Sequence, residues 1–303
     1  MNARDDSSPH AVMPAIAHPA GLREIADDYD GYVMDLWGVL HDGVNAFPEA
    51  VDCLRQLKAR GCAIAILSNA PRRAETVRRR NTELGIDPAL SDTVVSSGED
   101  TWRHLKARDD AFYAGLGAKV LHLGPARDRD LLQGNGLEPV ASLEAADFIL
   151  NTGPGAPEAR VEDFQALLDE ALSLDRPMVC ANPDLLVIRG GRAEICAGAI
   201  AERYREMGGV VRFHGKPDPG VYERCFAAMD AVPKSRILAV GDSLRTDMAG
   251  ARAAGIDGLF ISGGIHADEL GAGPGERPSA ARVDEACRAA GVRPVGVMPA
   301  LVW

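Results

Sequence analysis

Asp35, Ser68 with Asn69, Lys216, and the pair Asp242 and Asp247 share one setting in this chain: each comes at or just past the end of a short apolar run. Asp35 follows Tyr32-Val33-Met34, Ser68 follows Cys62 to Leu67, Lys216 follows Val210 to Phe213, and Asp242 follows Ile237 to Val240. An open parallel sheet gathers such positions in one crevice at the carboxyl ends of its strands, so residues far apart in sequence can meet there.

The residue types suit a divalent cation and a phosphate. A buried carboxylate is costly unless something cationic meets it, so Asp35 either caps the turn signalled by His41-Asp42-Gly43 or ligates a metal. In Gly241-Asp242-Ser243-Leu244-Arg245-Thr246-Asp247, a strand delivers one carboxylate directly and a helix start delivers the second. Mg2+ takes hard oxygen ligands from one or two carboxylates and fills its shell with water and substrate phosphate, which fits this spacing. Asp247 has a second reading, as an acidic residue favoured by the dipole at the start of its helix. Lys216, in Gly215-Lys216-Pro217, either balances the charge of a bound phosphate or is an ordinary surface lysine. Ser68 precedes a helix opened by Pro71, so its hydroxyl and the free N–H groups of that helix form a phosphate site, a plain N-cap, or both. An ionised aspartate is also a competent covalent nucleophile, provided a metal screens it from an anionic phosphate.

The elements that must position these groups read as α/β. From Tyr32 onward, apolar runs of strand length alternate with amphipathic stretches: strands at 32–36, 62–67 and 94–96, helices at 48–60 and 72–84. A second set follows, with strands at 120–123, 148–150 and 178–180 and helices near 128–133 and 161–174. Gly190-Gly191 between two extended runs signals a hairpin. The alternation then resumes with helix 199–207, strand 210–213, helix 219–229, strand 237–240, helix 246–254 and strand 258–261. At 303 residues the chain is long enough for two domains. The expected fold is a Rossmann-like parallel-sheet α/β core, 22–97 and 198–303, interrupted by an inserted α/β cap domain, 98–197, after a loose amino-terminal segment, 1–21.

At this point the ordered segments MDLWGVLHDG, LSNAPR, HGKPDPGVY and GDSLRTDMAGA resemble the four motifs of the haloacid dehalogenase superfamily. The large insert between the Ser68 and Lys216 motifs is similar to that of subfamily IIA, the 4-nitrophenylphosphatase-like branch, whose α/β cap covers the active site. The resemblance runs from about Tyr32 to Ile261. It implies a Mg2+-dependent phosphatase of small phosphorylated metabolites in which Asp35 attacks phosphorus and becomes an aspartyl-phosphate. On the same grounds Asp35, Asp242 and the backbone carbonyl of Trp37 hold the metal with support from Asp247. Ser68 or Asn69 binds phosphate, and Lys216 steadies the nucleophile and the transition-state charge. Asn182 and Asp184, in Asn182-Pro183-Asp184, resemble a segment near the cap and core junction and so are candidates for substrate contact; a simple turn is the alternative.

Trp37 departs from the pattern. Phosphatases of this superfamily usually carry a second aspartate there, which protonates the leaving group and later activates water. An indole donates a hydrogen bond but relays no proton. The loss is worth about 10² to 10⁴ in rate, while metal and phosphate positioning remain. Activity is therefore expected to be slowed, least for aryl or acyl phosphates, unless His41 or Asp42 stands in. A phosphometabolite-binding protein with vestigial catalysis is the alternative; a carbon-centred dehalogenase is disfavoured by Lys216 and the two later aspartates.

A net charge of -11 argues against nucleic acid as a partner, since phosphate-backbone binding needs a basic surface. No apolar run nears the roughly 20 residues of a membrane span, so no membrane partner is expected. Cys53, Cys62, Cys180, Cys196, Cys225 and Cys287 are scattered singly, which suggests reduced, mostly buried thiols and a cytoplasmic location. Arg72 and Arg73 are placed to meet an acidic substrate, Arg78 to Arg80 read as a solvated face, and any homo-oligomer is expected to form through the cap.

Overall fold

The computed structural model describes residues 15–273 and 275–303. Its strands are β1 (Gly31–Met34), β2 (Ala63–Ser68), β3 (Thr93–Ser96), β4 (Lys119–Leu123), β5 (Glu138–Val140), β6 (Phe148–Asn151), β7 (Met178–Cys180), β8 (Leu186–Arg189), β9 (Arg192–Ile195), β10 (Val211–Phe213), β11 (Ile237–Gly241), β12 (Asp257–Ile261) and β13 (Gly296–Met298). One sheet has the order β13-β12-β11-β1-β2-β3 and is parallel throughout.

Each central strand of this sheet is apolar on both faces, as a strand covered on both sides must be. Tyr32 and Met34 pack into one core with Leu54 and Leu57 of helix Pro48–Ala59, while Val33 faces the other way onto Val221, Tyr222 and Cys225 of helix Pro219–Phe226. The chain leaves β1 in one direction through β2 and β3 and returns on the other side through β11, β12 and β13. The order therefore reverses between β1 and β11, and the crevice at a doubly wound sheet's carboxyl edge opens there.

A second parallel sheet, β10-β7-β6-β4-β5, and the antiparallel β8-β9 hairpin form the insert. Gly190 and Gly191, at φ 51° and 78°, make the hairpin's two-residue turn, where both central residues need the left-handed region. The inserted unit extends past the expected boundary at 197. Residues 210–213, expected in the core, pair instead with β7, and Ile200, Ala201 and Tyr204 of helix Ala197–Glu206 pack against Ile149, Leu168 and Met178. Local alternation marks a strand but not its partner, so this segment could not be assigned to a sheet from its pattern.

The expectation of a loose segment at 1–21 falls partly outside the described residues. From Ala15 on it is overturned: Ile16 is buried, and Ala17 bridges Gly296, donating to Val295 O at 3.1 Å and accepting from Val297 N at 2.9 Å. Helix Ala280–Ala289 and β13 lie beyond the motif-bearing stretch and complete this edge. The six cysteines are free and buried. No helix among the described residues is long and apolar enough to cross a membrane.

Candidate active site

Asp35 leaves β1, Ser68 ends β2, and Asp242 follows Gly241 of β11, so three neighbouring strands deliver their polar ends to the same edge of the sheet. Asp247 arrives by a different route. Residues Leu244–Met248 form a π-turn, with Met248 N–H donating to Ser243 O at 3.0 Å, before the chain settles into helix Ala249–Ala254. Such a widened turn re-aims side chains at functional sites. Here Asp247 is buried, and its Oδ2 accepts from Ser243 N at 3.1 Å.

Lys216 lies at the centre. Its Nζ donates to Asp35 Oδ1 at 2.6 Å, Asp247 Oδ1 at 2.7 Å and Leu67 O at 3.2 Å. Asn69 grips the same residue's backbone on both sides, accepting from Lys216 N at 2.8 Å and donating to Lys216 O at 3.3 Å. The Asn69 side chain also donates to Asp184 Oδ1 at 2.9 Å. Asn69 thus has its amide committed to holding Lys216 and Asp184. Ser68 is buried, and its Oγ accepts from Ala70 N at 3.2 Å, the local turn bond of a cap.

Carboxylate oxygens of Asp35, Asp242 and Asp247 all come within 4.8 Å of one another. Asp35, Asp242 and Asp247 are buried and Asp184 is half-buried beside them, while Lys216 is paired with Asp35 and Asp247. Burial pushes the Asp35 carboxyl up to about 7, against the pull of Lys216 and with the push of Asp247. Burial and then the charges of Asp35 and Asp247 push Asp242 well above the ordinary carboxylate range. Burial also raises Asp184, opposed by Lys216. Burial alone would lower Lys216, but Asp247 and Asp35 outweigh it and hold the ammonium charged. This surplus of hard, anionic oxygen is what a divalent cation neutralises. Glycines keep the approach open: a Cβ at Gly38 or Gly264 would strike Asp242 Oδ2, and one at Gly241 would strike Asp247 Cγ. The donor set fits Mg2+.

Trp37 is half-buried and built into the turn after β1. Its ring covers Gly43, where any Cβ would strike the indole, and meets His41 edge-on with centroids 5.1 Å apart. The guanidinium of Arg189, at the end of β8, lies over the indole at 4.7 Å, and Gly190 N–H donates to Asp42 O at 3.4 Å. Neither candidate stand-in for the missing acid suits that role. Burial lowers His41 to about 4, and its Nδ1 accepts from Gly43 N at 3.1 Å, so the ring is neutral and occupied. Against the upward push of burial, the N–H groups of Asn45 and Val44 hold the Asp42 carboxyl below its ordinary value.

A cavity of about 450 Å³ opens from the acidic cluster. Asp35, Trp37, Asn69, Asp184, Lys216, Asp242 and Asp247 line it; among the described residues, Ser68 and Asn182 do not. Asn182 Oδ1 accepts from Asp184 N at 3.0 Å, so Asn182 forms the turn that presents its neighbour. The expectation that Arg72 and Arg73 face substrate is overturned. Arg72 Nε pairs with the buried Asp128 at 2.8 Å, and Arg73 pairs with Glu99 at 2.7 Å while lying over the Trp102 ring. Both tie the helix after β2 to the inserted unit. Ile265, whose N–H donates to Asp242 Oδ2 at 2.9 Å, carries no motif that sequence reasoning could have used.

The comparisons with known proteins agree with this geometry. Residues 32–138 match the family model for haloacid dehalogenase-like hydrolases, and residues 213–287 match a second model of the same kind. A solved haloacid dehalogenase-like hydrolase from Brucella suis 1330 is 34% identical, covers 94% of this chain and 100% of its own, and superposes with a TM-score of 0.80. This chain belongs to the haloacid dehalogenase-like hydrolase family. The D-glycerol 3-phosphate phosphatase of Mycobacterium tuberculosis is 29% identical over 261 residues, 85% of this chain and 70% of that protein. A structure of glycerol phosphate phosphatase from the same organism in complex with calcium is 27% identical, with a TM-score of 0.59 over 84% of this chain and 73% of its own.

Proposed function

We propose that this chain is a Mg2+-dependent phosphatase of small phosphorylated metabolites that works through an aspartyl-phosphate at Asp35. The observation that carries the reading is the clustering of Asp35, Asp242 and Asp247, with Lys216 bonded to Asp35 and Asp247, at the point where the strand order reverses. The names of the similar proteins, one a D-glycerol 3-phosphate phosphatase and one a glycerol phosphate phosphatase bound to calcium, support a phosphorylated substrate and a divalent cation.

Asp35 and Asp242, with the Trp37 carbonyl, would hold the cation, and Asp247 would support it through its contacts to Lys216 and Ser243. When bound, the cation supplies the positive charge that lets an anionic carboxylate approach an anionic phosphate. Asp35 then forms a bond to phosphorus as the bond to the leaving oxygen breaks, and water cleaves the acyl-phosphate to release phosphate and restore the carboxylate. Lys216 holds Asp35 in the attacking orientation and balances charge on the phosphoryl oxygens, and Asn69 keeps Lys216 in place. Asp184, half-buried and raised by desolvation, lines the same cavity and is placed to contact substrate. With Trp37 in the acid position, turnover favours leaving groups that need no proton.

The test is a panel of aryl, acyl and alkyl phosphates, with and without Mg2+. Wild type should turn over the aryl and acyl members only with the cation, and Asp35→Asn should lower kcat at least about 10³-fold. Binding of the same compounds without turnover of any would instead support the second reading, a phosphometabolite-binding protein, which the indole at position 37 favours.

A further inference from the structure

We propose that the organic part of the substrate is an extended apolar chain carrying a single phosphate. The inference rests on reading the acidic end of the cavity as the phosphoryl site. Away from that end, the wall is made by Leu186 and Ile188 of β8, Val39 and Phe47 after β1, and Leu301 and Val302 after β13. Three separate parts of the chain thus turn apolar side chains toward one volume. At about 450 Å³ it lies within the range of small-molecule sites, roughly 300 to 1,000 Å³.

Charge narrows the class further. Among the described lining residues Lys216 is the one cation, and it is engaged by Asp35 and Asp247. The charged groups beyond the acidic cluster are Asp42 and Glu49, both anionic. A second phosphate or a carboxylate on the substrate would meet no partner there, only like charge. The hairpin carries an independent sign. A two-stranded antiparallel ribbon normally alternates apolar and polar faces, yet Leu186, Val187 and Ile188 are apolar in succession and all half-exposed. Contiguous apolar surface of this kind is the mark of a binding face, and the cavity names what binds.

The experiment measures binding, not turnover: titration calorimetry of ethyl-, butyl- and hexylphosphonate in excess Mg2+. Kd should fall about fourfold for each added methylene until the cavity is filled. Leu186→Gln on one wall and Val302→Ser on the other, each checked for folding by circular dichroism, should flatten that series. A Kd independent of chain length, no binding of any member, or tighter binding of a carboxylate-bearing phosphonate than of hexylphosphonate would overturn the proposal. A chain that binds the series in length order yet hydrolyses no phosphate ester would sink the phosphatase reading alone. Hydrolysis without dependence on chain length would sink this one alone.

Discussion

Trp37 sits beside the buried Asp35 and yet behaves as a structural residue: it covers Gly43, meets His41 edge-on and receives Arg189 on its face. His41 is neutral and Asp42 is held ionised by backbone N–H groups, so the turn has no ready proton donor. Trp37→Asp is therefore expected to raise kcat on an alkyl phosphate by tenfold or more, within the roughly 10² to 10⁴ that acid-base help supplies, and to leave an aryl phosphate nearly unchanged. A folded variant with no gain on the alkyl ester would show that proton transfer does not limit the rate. The motif residues at this scale were legible because each chemical role restricts residue type. The contacts of the indole were not, since Arg189 is remote in sequence and no local signal pairs the two.

At the scale of elements, the β8-β9 hairpin is docked on the turn after β1. Arg189 carries the contact, paired with Glu194 at 3.0 Å and lying over the Trp37 ring, and Gly190 N–H reaches Asp42 O. A cation over an indole face contributes about 0.5 to 2 kcal/mol, depending on how far it is desolvated. Arg189→Ala should loosen the hairpin: hydrogen exchange at 186–195 should quicken and KM should rise about two- to thirtyfold, with the melting temperature little changed. Unaltered exchange there would mean that the hairpin is held by other contacts. Gly190-Gly191 announced this hairpin in the sequence, because a two-residue turn with positive φ at both positions favours glycine. What the hairpin rests on is a tertiary fact, and so is the pairing of residues 211–213 with β7.

The whole molecule places a dense negative charge in a buried crevice. Asp35, raised to about 7, keeps a proton in the metal-free folded chain that an unfolded carboxyl loses near pH 4. Between those values the folded state binds more protons, so metal-free stability should decline as pH rises through this window. A cation prefers the deprotonated form and reverses the trend. Mg2+ at about 100 times its Kd should add about 2.7 kcal/mol at pH 8, roughly 5 °C or more in melting temperature, and distinctly less at pH 5. Equal shifts at the two pH values would count against these carboxylates as the metal's ligands.

The amino-acid sequence by itself determined the α/β class, the parallel core, and the motif residues that meet in the crevice. Strand periodicity, turn-forming glycines and residue types demanded by chemistry are local properties and can be read in order along the chain. The tertiary structure alone decided which sheet takes residues 211–213, that Arg72 and Arg73 face Asp128 and Glu99, and that Leu301 and Val302 join Leu186 in one wall. Those outcomes depend on which surfaces meet once the sheets have packed. Packing partners far apart along the backbone leave no periodic trace in either segment.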